Sequence, residues 1–226
     1  MTDKKKQIEQ LFRDCLILRR QFNEIEKDLE NIHDIAMNAA VAAGQTGSLM
    51  RIFSEIANQI SQTIRRMNQL IPSLRDEVNH TMNSILRILV IERRLEKYQL
   101  AARHIQQERN KLLLQQIISR QYQHIAELGS KAYHYLNVVE TMIRTLRQHY
   151  QRLYASHELL KMESTHLYGG QSEAMLQMAD NFAKVTDRGS GQIEDITAGI
   201  RHIKAQILKF QHLLSDEEYD AKALAI

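Results

Sequence analysis

Ten histidines and a single cysteine are the residues of this 226-residue chain best suited to metal or redox chemistry. No two histidines stand as His-x-x-x-His, no Glu-x-x-His pair has a matching partner cluster, and Cys15 has no second thiol. A closed metal site needs three or four such ligands converging, so no metal and no cofactor are expected. The lone cysteine also excludes an internal disulfide framework and fits a reducing compartment. His157 falls on an apolar seam, where imidazole titration near neutral pH makes it the candidate switch. His33, beside Asp34, lies next to a seam and is expected to face solvent.

Other chemistries lack their signatures. No G-x-x-x-x-G-K-[ST], G-x-S-x-G or zinc-hydrolase pattern occurs. Gly189-Ser190-Gly191 has no preceding strand and interrupts a heptad run, so it reads as a soft place in a helix. With Gly199 it predicts a compliant zone. Catalysis is therefore not expected, and the chain reads as a non-enzyme. From Arg87 to Arg120 there are eight Lys and Arg against three Glu, but with Tyr98 as the sole aromatic there and Tyr122 just beyond it, the stretch is poor in stacking platforms. Nucleic acid is not expected as a partner.

The elements that must carry these residues are long helices. One proline, eight glycines, no tryptophan and 25% charged residues describe an all-α protein of thin apolar seams. Ile8, Leu11, Cys15, Leu18, Phe22, Ile25, Leu29, Ile32, Ala36, Ala39 and Ala43 alternate by three and four, an a/d seam over about residues 4–43. Glycines and Ser48 close it at Gly44–Ser48 and open the next helix. A second seam runs from Phe53 to Val78 and continues through Pro72, which predicts a kink and not a stop. A reversal is predicted near Glu108-Arg109-Asn110-Lys111, since Asn110 is the sole turn former there. Two further seams flank Tyr168-Gly169-Gly170.

The first and third seams superpose with a shift of 121 residues, and the second and fourth with 122, placing Gly47 on Gly169 and Ala57 on Ala179. The chain thus reads as two tandem hairpins: about 4–108 with its tip at 44–48, and about 111–215 with its tip at 168–171, where Gly169 and Gly170 form the second tip. An acidic tail follows over 216–226. Packed together, the hairpins close one antiparallel four-helix coiled-coil bundle, with residues 90–125 as a basic two-helix extension. No 18-residue apolar run and no signal-peptide core are present, so a cytoplasmic protein without a membrane span is expected.

The lean stretch NAAVAAGQTGSLMRIFSEIA, residues 38–57, carries the one specific pattern. Asn38, Ala39, Ala40, Val41, Ala43, Gly47, Arg51, Phe53, Ile56 and Ala57 stand at the positions that define the cytoplasmic hairpin tip of methyl-accepting chemotaxis proteins, and the segment resembles that tip over about residues 29–60. The resemblance implies a signal-transduction module that docks through Asn38, Ala42, Gln45, Gly47, Ser48, Arg51 and Phe53 onto a protein partner, the chemotaxis histidine kinase or its adaptor. A homodimer is a further expectation. The departures matter as much: Ala42, Gln45 and Ser48 replace charged tip residues of the family, and Met50 and Ile52 replace glycines. A different reading takes the chain as a helical scaffold outside chemotaxis that holds an acidic partner on its basic extension.

Overall fold

The computed structural model describes residues 3–44, 51–166 and 170–223, which form four helices: α1 (Asp3–Gly44), α2 (Arg51–Ala102), α3 (Glu108–Thr165) and α4 (Gly170–Ala223). Among the described residues there is no strand, and the architecture is an all-α four-helix bundle. The chain is rich in Leu, Glu, Gln, Arg and Lys, which lose little rotamer freedom in a helix, so helices of this length need few internal corrections.

Two compact units divide the chain, and each helix contributes a segment to both. One unit comprises Met1–Leu18, Asp76–Val139 and Gly199–Ile226; the other comprises Arg19–Arg75 and Glu140–Ala198. In the first unit the core is built from seam residues such as Leu11, Cys15, Ile85, Leu136 and Ile203. Tyr133 of α3 meets the Lys204 ammonium 5.0 Å from its ring centroid, and Ser130 accepts from Gln211 at 3.2 Å, so α3 and α4 run antiparallel there. α4 also touches α1, where His202 lies 3.8 Å from Asp14, and α3 touches α2, where the His80 and Tyr135 rings stand 5.2 Å apart.

The core of the second unit holds Phe22, Ile32, Phe53, Met67, Leu146 and Phe182. Glu26 pairs with Arg75 across α1 and α2, and Asp28 pairs with Arg188 across α1 and α4. Hydroxyls enter both seams by bonding back into their own helix. Thr81 donates to the Glu77 carbonyl at 3.0 Å and Ser164 to that of Leu160 at 2.6 Å, which lets a buried polar side chain keep a partner.

Pro72 sits inside α2, exposed, and the helix continues through it as the apolar period required. The α2–α3 reversal lies at residues 103–107, earlier than the predicted Glu108–Lys111, which form the first turn of α3. The physical reason is the cap: the Gln107 carbonyl accepts from the backbone N–H groups of Asn110 and Lys111, both at 3.1 Å, while the Asn110 amide donates to Gln107 Oε1 at 2.8 Å. Asn110 thus braces the helix start from within. At the other end of α3, Ser172 donates to the Ser164 carbonyl at 2.9 Å, supplying a partner for one of the carbonyls that a helix C-terminus leaves open.

Candidate functional site

Around the first tip, the small residues lie where the seam needs them. Ala36, Ala39, Phe53, Ile56 and Ala57 are buried, whereas Asn38 and Arg51, the first residue of α2, are exposed. The lean seam therefore sits next to polar side chains that solvent or a partner reaches. Of the other sequence-derived tip residues, Gln45, Gly47, Ser48 and Gly169 lie outside the described residues, as does the Ala42 side chain. Gly170 is the first residue of α4.

His157 is 5% exposed, as its seam position implied. Its ring stands 6.2 Å from Phe182, edge-on at 79°, and 5.7 Å from the Tyr154 ring. Its Nδ1 approaches the Glu158 carboxylate at 3.4 Å without hydrogen-bond geometry, leaving both ring nitrogens buried and without a hydrogen-bond partner. His33 differs from expectation: it is half-buried with Nδ1 unpartnered, because the α1 face next to the seam is covered rather than free. His149, 8% exposed, has its pKa pushed down by burial, with the Arg152 and Arg66 cations adding to the effect.

The α4 glycines, which the sequence grouped as one compliant zone, meet three different environments. A Cβ on Gly189 would stand 2.5 Å from Tyr150 Cζ, so glycine is what allows the Tyr150 ring to lie against α4. A Cβ on Gly199 would meet Leu18 Cδ2 at 3.1 Å. Gly191 has nothing within 4 Å of that position. Two of the three are close-packing sites, and the physical reason is the width of their opposing side chains. Beside Gly189, Arg188 Nε donates to Asp28 Oδ2 at 2.9 Å, and this bond raises the Arg188 pKa. The Tyr150 hydroxyl is buried without a hydrogen-bond partner, and burial first, then the Asp28 charge, pushes its pKa up. Sequence reasoning missed this cluster; the heptad phase of Tyr150 and Gly189 was its one available signal.

In the first unit, residues 96–121 contain no buried side chain, so the basic excess occupies a bare end of α2 and α3. Leading up to it is a shallow groove of about 420 Å³ between these helices. Leu86, Val90 and Ile91 form its apolar floor, Arg87 and Arg94 one rim, and Gln121 and His124 the other. Leu86 and Val90 remain 40% and 47% exposed. Leu86 and Val90 stand four residues apart and off the seam, a spacing visible in the sequence.

Among the described residues no group of three His, Cys, Asp or Glu is placed to hold a metal ion, and no helix is long and apolar enough to cross a membrane. No protein-family model matches the chain, and no curated protein matches it. What the fold and these sites define is a four-helix bundle whose distinctive surfaces lie at helix ends and along one helix–helix groove.

Proposed function

We propose that the chain is a non-catalytic, cytoplasmic signal-relay module of the chemotaxis-receptor type, in which the end of the α1–α2 hairpin docks onto a histidine kinase or its adaptor. The observation that carries this reading is the buried small-residue seam of Ala36, Ala39 and Ala57, which coincides with the segment resembling the receptor tip and leaves Asn38 and Arg51 exposed beside it. Small side chains let two helices approach closely, and a closely packed seam converts a small shift at one end into repacking rather than smooth deformation.

The bundle needs no bound group to act in this way. A signal enters as a change of packing, and the tip presents it as a change in the spacing of exposed polar residues. The experiment is capture of purified kinase and adaptor on the immobilised chain. Binding lost in Asn38→Ala and Arg51→Glu, with helicity retained, supports the reading, and absence of binding by the unaltered chain refutes it.

A second reading has its own observation. The basic stretch from Arg87 to Arg120, bare of buried side chains beyond Leu95, suits a helical scaffold that holds an acidic partner, and charge reversal at the exposed Arg93 and Arg94 then abolishes binding while changes at Asn38 and Arg51 leave it intact.

A further inference from the structure

The faces of α2 and α3 that border their groove lie within one compact unit and mix exposed aliphatic side chains with cations. Along α2, Leu86, Val90, Arg93, Lys97 and Leu100 follow at steps of four and three, the spacing of a seam, yet every one of them is exposed. Along α3, Ile117 and Leu113 continue the groove side at steps of four from Gln121, with Arg120 beside them, and these too are exposed. Because Leu86 and Val90 line the groove from α2 and Gln121 lines it from α3, the two stripes border one continuous strip, about 20 Å long.

The charge of the strip has one sign. Arg93, Lys97 and Arg120 make no ion pair among the described residues, unlike Arg20, Arg75, Arg144 and Arg188, which each hold a carboxylate. Glu92 and Glu96 stand just before Arg93 and Lys97 and so turn about 100° away from the stripe. An exposed aliphatic strip marks a contact surface, and unpaired cations along it call for an anionic one. Protein partners are gripped chiefly by aromatic and arginine anchors that enter pockets. Here the groove is shallow, no Phe, Tyr or Trp lines it, and Leu100 and Leu113, 58% and 51% exposed, stand outside it on the open faces of the rods. Aliphatic side chains set among cations with long apolar stems suit a bilayer interface, where the aliphatic groups enter the acyl boundary and the charged heads reach back to the lipid headgroups.

We propose that this strip of α2 and α3 rests on an anionic bilayer surface. Val90, Leu113 and Ile117 enter the interface, and Arg93, Lys97 and Arg120 hold the phosphate and carboxylate groups of the headgroups. The contact is peripheral, since among the described residues no helix is long and apolar enough to cross a membrane. It gives the basic stretch a lipid partner in place of the acidic protein of the scaffold reading, and it does not depend on the signal-relay reading.

Co-sedimentation of the full-length chain with vesicles tests this, using phosphatidylcholine alone and phosphatidylcholine with about one-third phosphatidylserine. The chain is expected to sediment with the phosphatidylserine vesicles and to stay in the supernatant with phosphatidylcholine alone. R93Q/K97Q weakens binding about twentyfold, each cation near an anionic leaflet contributing a factor of about five, and L113Q/I117Q weakens it at least about fivefold, both with unchanged helicity by circular dichroism. Since the chain has no tryptophan, Leu113→Trp adds a sole indole, whose emission shifts to the blue when phosphatidylserine vesicles are added. A chain that stays in the supernatant with both vesicles, equal sedimentation with both, binding that R93Q/K97Q leaves unchanged, or an indole emission that does not move overturns the inference. Retention on immobilised polyglutamate by a chain that ignores vesicles assigns the strip to an acidic protein and overturns it as well. Asn38 and Arg51 are untouched in these variants, so this test and the kinase test of the relay reading fail independently.

Discussion

Gly189 and Gly191 are separated by one residue and do opposite things. At Gly189 the Tyr150 ring occupies the space of a side chain, so Gly189→Ala forces α3 and α4 apart and lowers stability by about 1–3 kcal/mol, the range for overpacking. At Gly191 nothing opposes a methyl group, and Gly191→Ala raises stability by about 1 kcal/mol through helix propensity alone. Urea midpoints of the two variants, measured side by side, check the pair; equal shifts in one direction would show that the two glycines share a single role as a soft joint. Cys15 belongs to the same scale. Burial, with a contribution from Asp14, pushes its thiol pKa up to about 12, so it stays protonated at pH 8. Ellman's reagent should label it at a rate set by unfolding, rising steeply across the urea transition.

His149 supplies the pH dependence. Its folded pKa lies below the ordinary value of 6.5, so the unfolded chain binds the proton more readily. The neutral ring's contribution to stability is complete above about pH 6.5 and is lost as the pH falls through the lower folded value. The urea midpoint therefore drops between pH 7.5 and 5.5, and His149→Gln reduces that drop. A variant that titrates in parallel with the unaltered chain would assign the effect elsewhere.

The seams were legible at the scale of elements because burial in a rod-like bundle repeats at a fixed interval. Ile8 to Ala39, Phe53 to Val78 and Ala132 to Ser164 are buried largely in the phase their spacing predicted. The α2–α3 reversal was displaced because its cap is a Gln107–Asn110 pair, and glutamine carries no strong turn signal. The glycine environments were invisible for a different reason: they depend on which side chain the facing helix presents, and one seam does not specify the phase of another. Pro72 gives a test at this scale. It occupies an exposed position in α2, withholds one backbone donor and crowds the preceding turn, so Pro72→Ala should stabilise the protein by about 1–3 kcal/mol, read as a rise in urea midpoint. If the midpoint falls instead, the interruption is a built bend on which the packing depends.

For the whole molecule, fold and function draw on different parts of the sequence. The bundle follows from apolar periodicity spread along all four helices, whereas the proposed signalling role rests on a resemblance over about thirty residues around one hairpin end, where positions charged in chemotaxis receptors are Ala42, Gln45 and Ser48 in this chain. A tip that keeps its small-residue seam and loses charge should bind its partner more weakly and with less salt dependence than a charged one. The groove on α2 and α3, rimmed by Arg87 and Arg94, is a separate surface. Signal relay to a kinase is read at its output by autophosphorylation of the chemotaxis histidine kinase with its adaptor, followed as the chain is titrated in. A relay module produces a saturable change in kinase rate that Arg51→Glu removes and R87E/R94E leaves in place; a rate that stays constant at every concentration of the folded chain rules that role out.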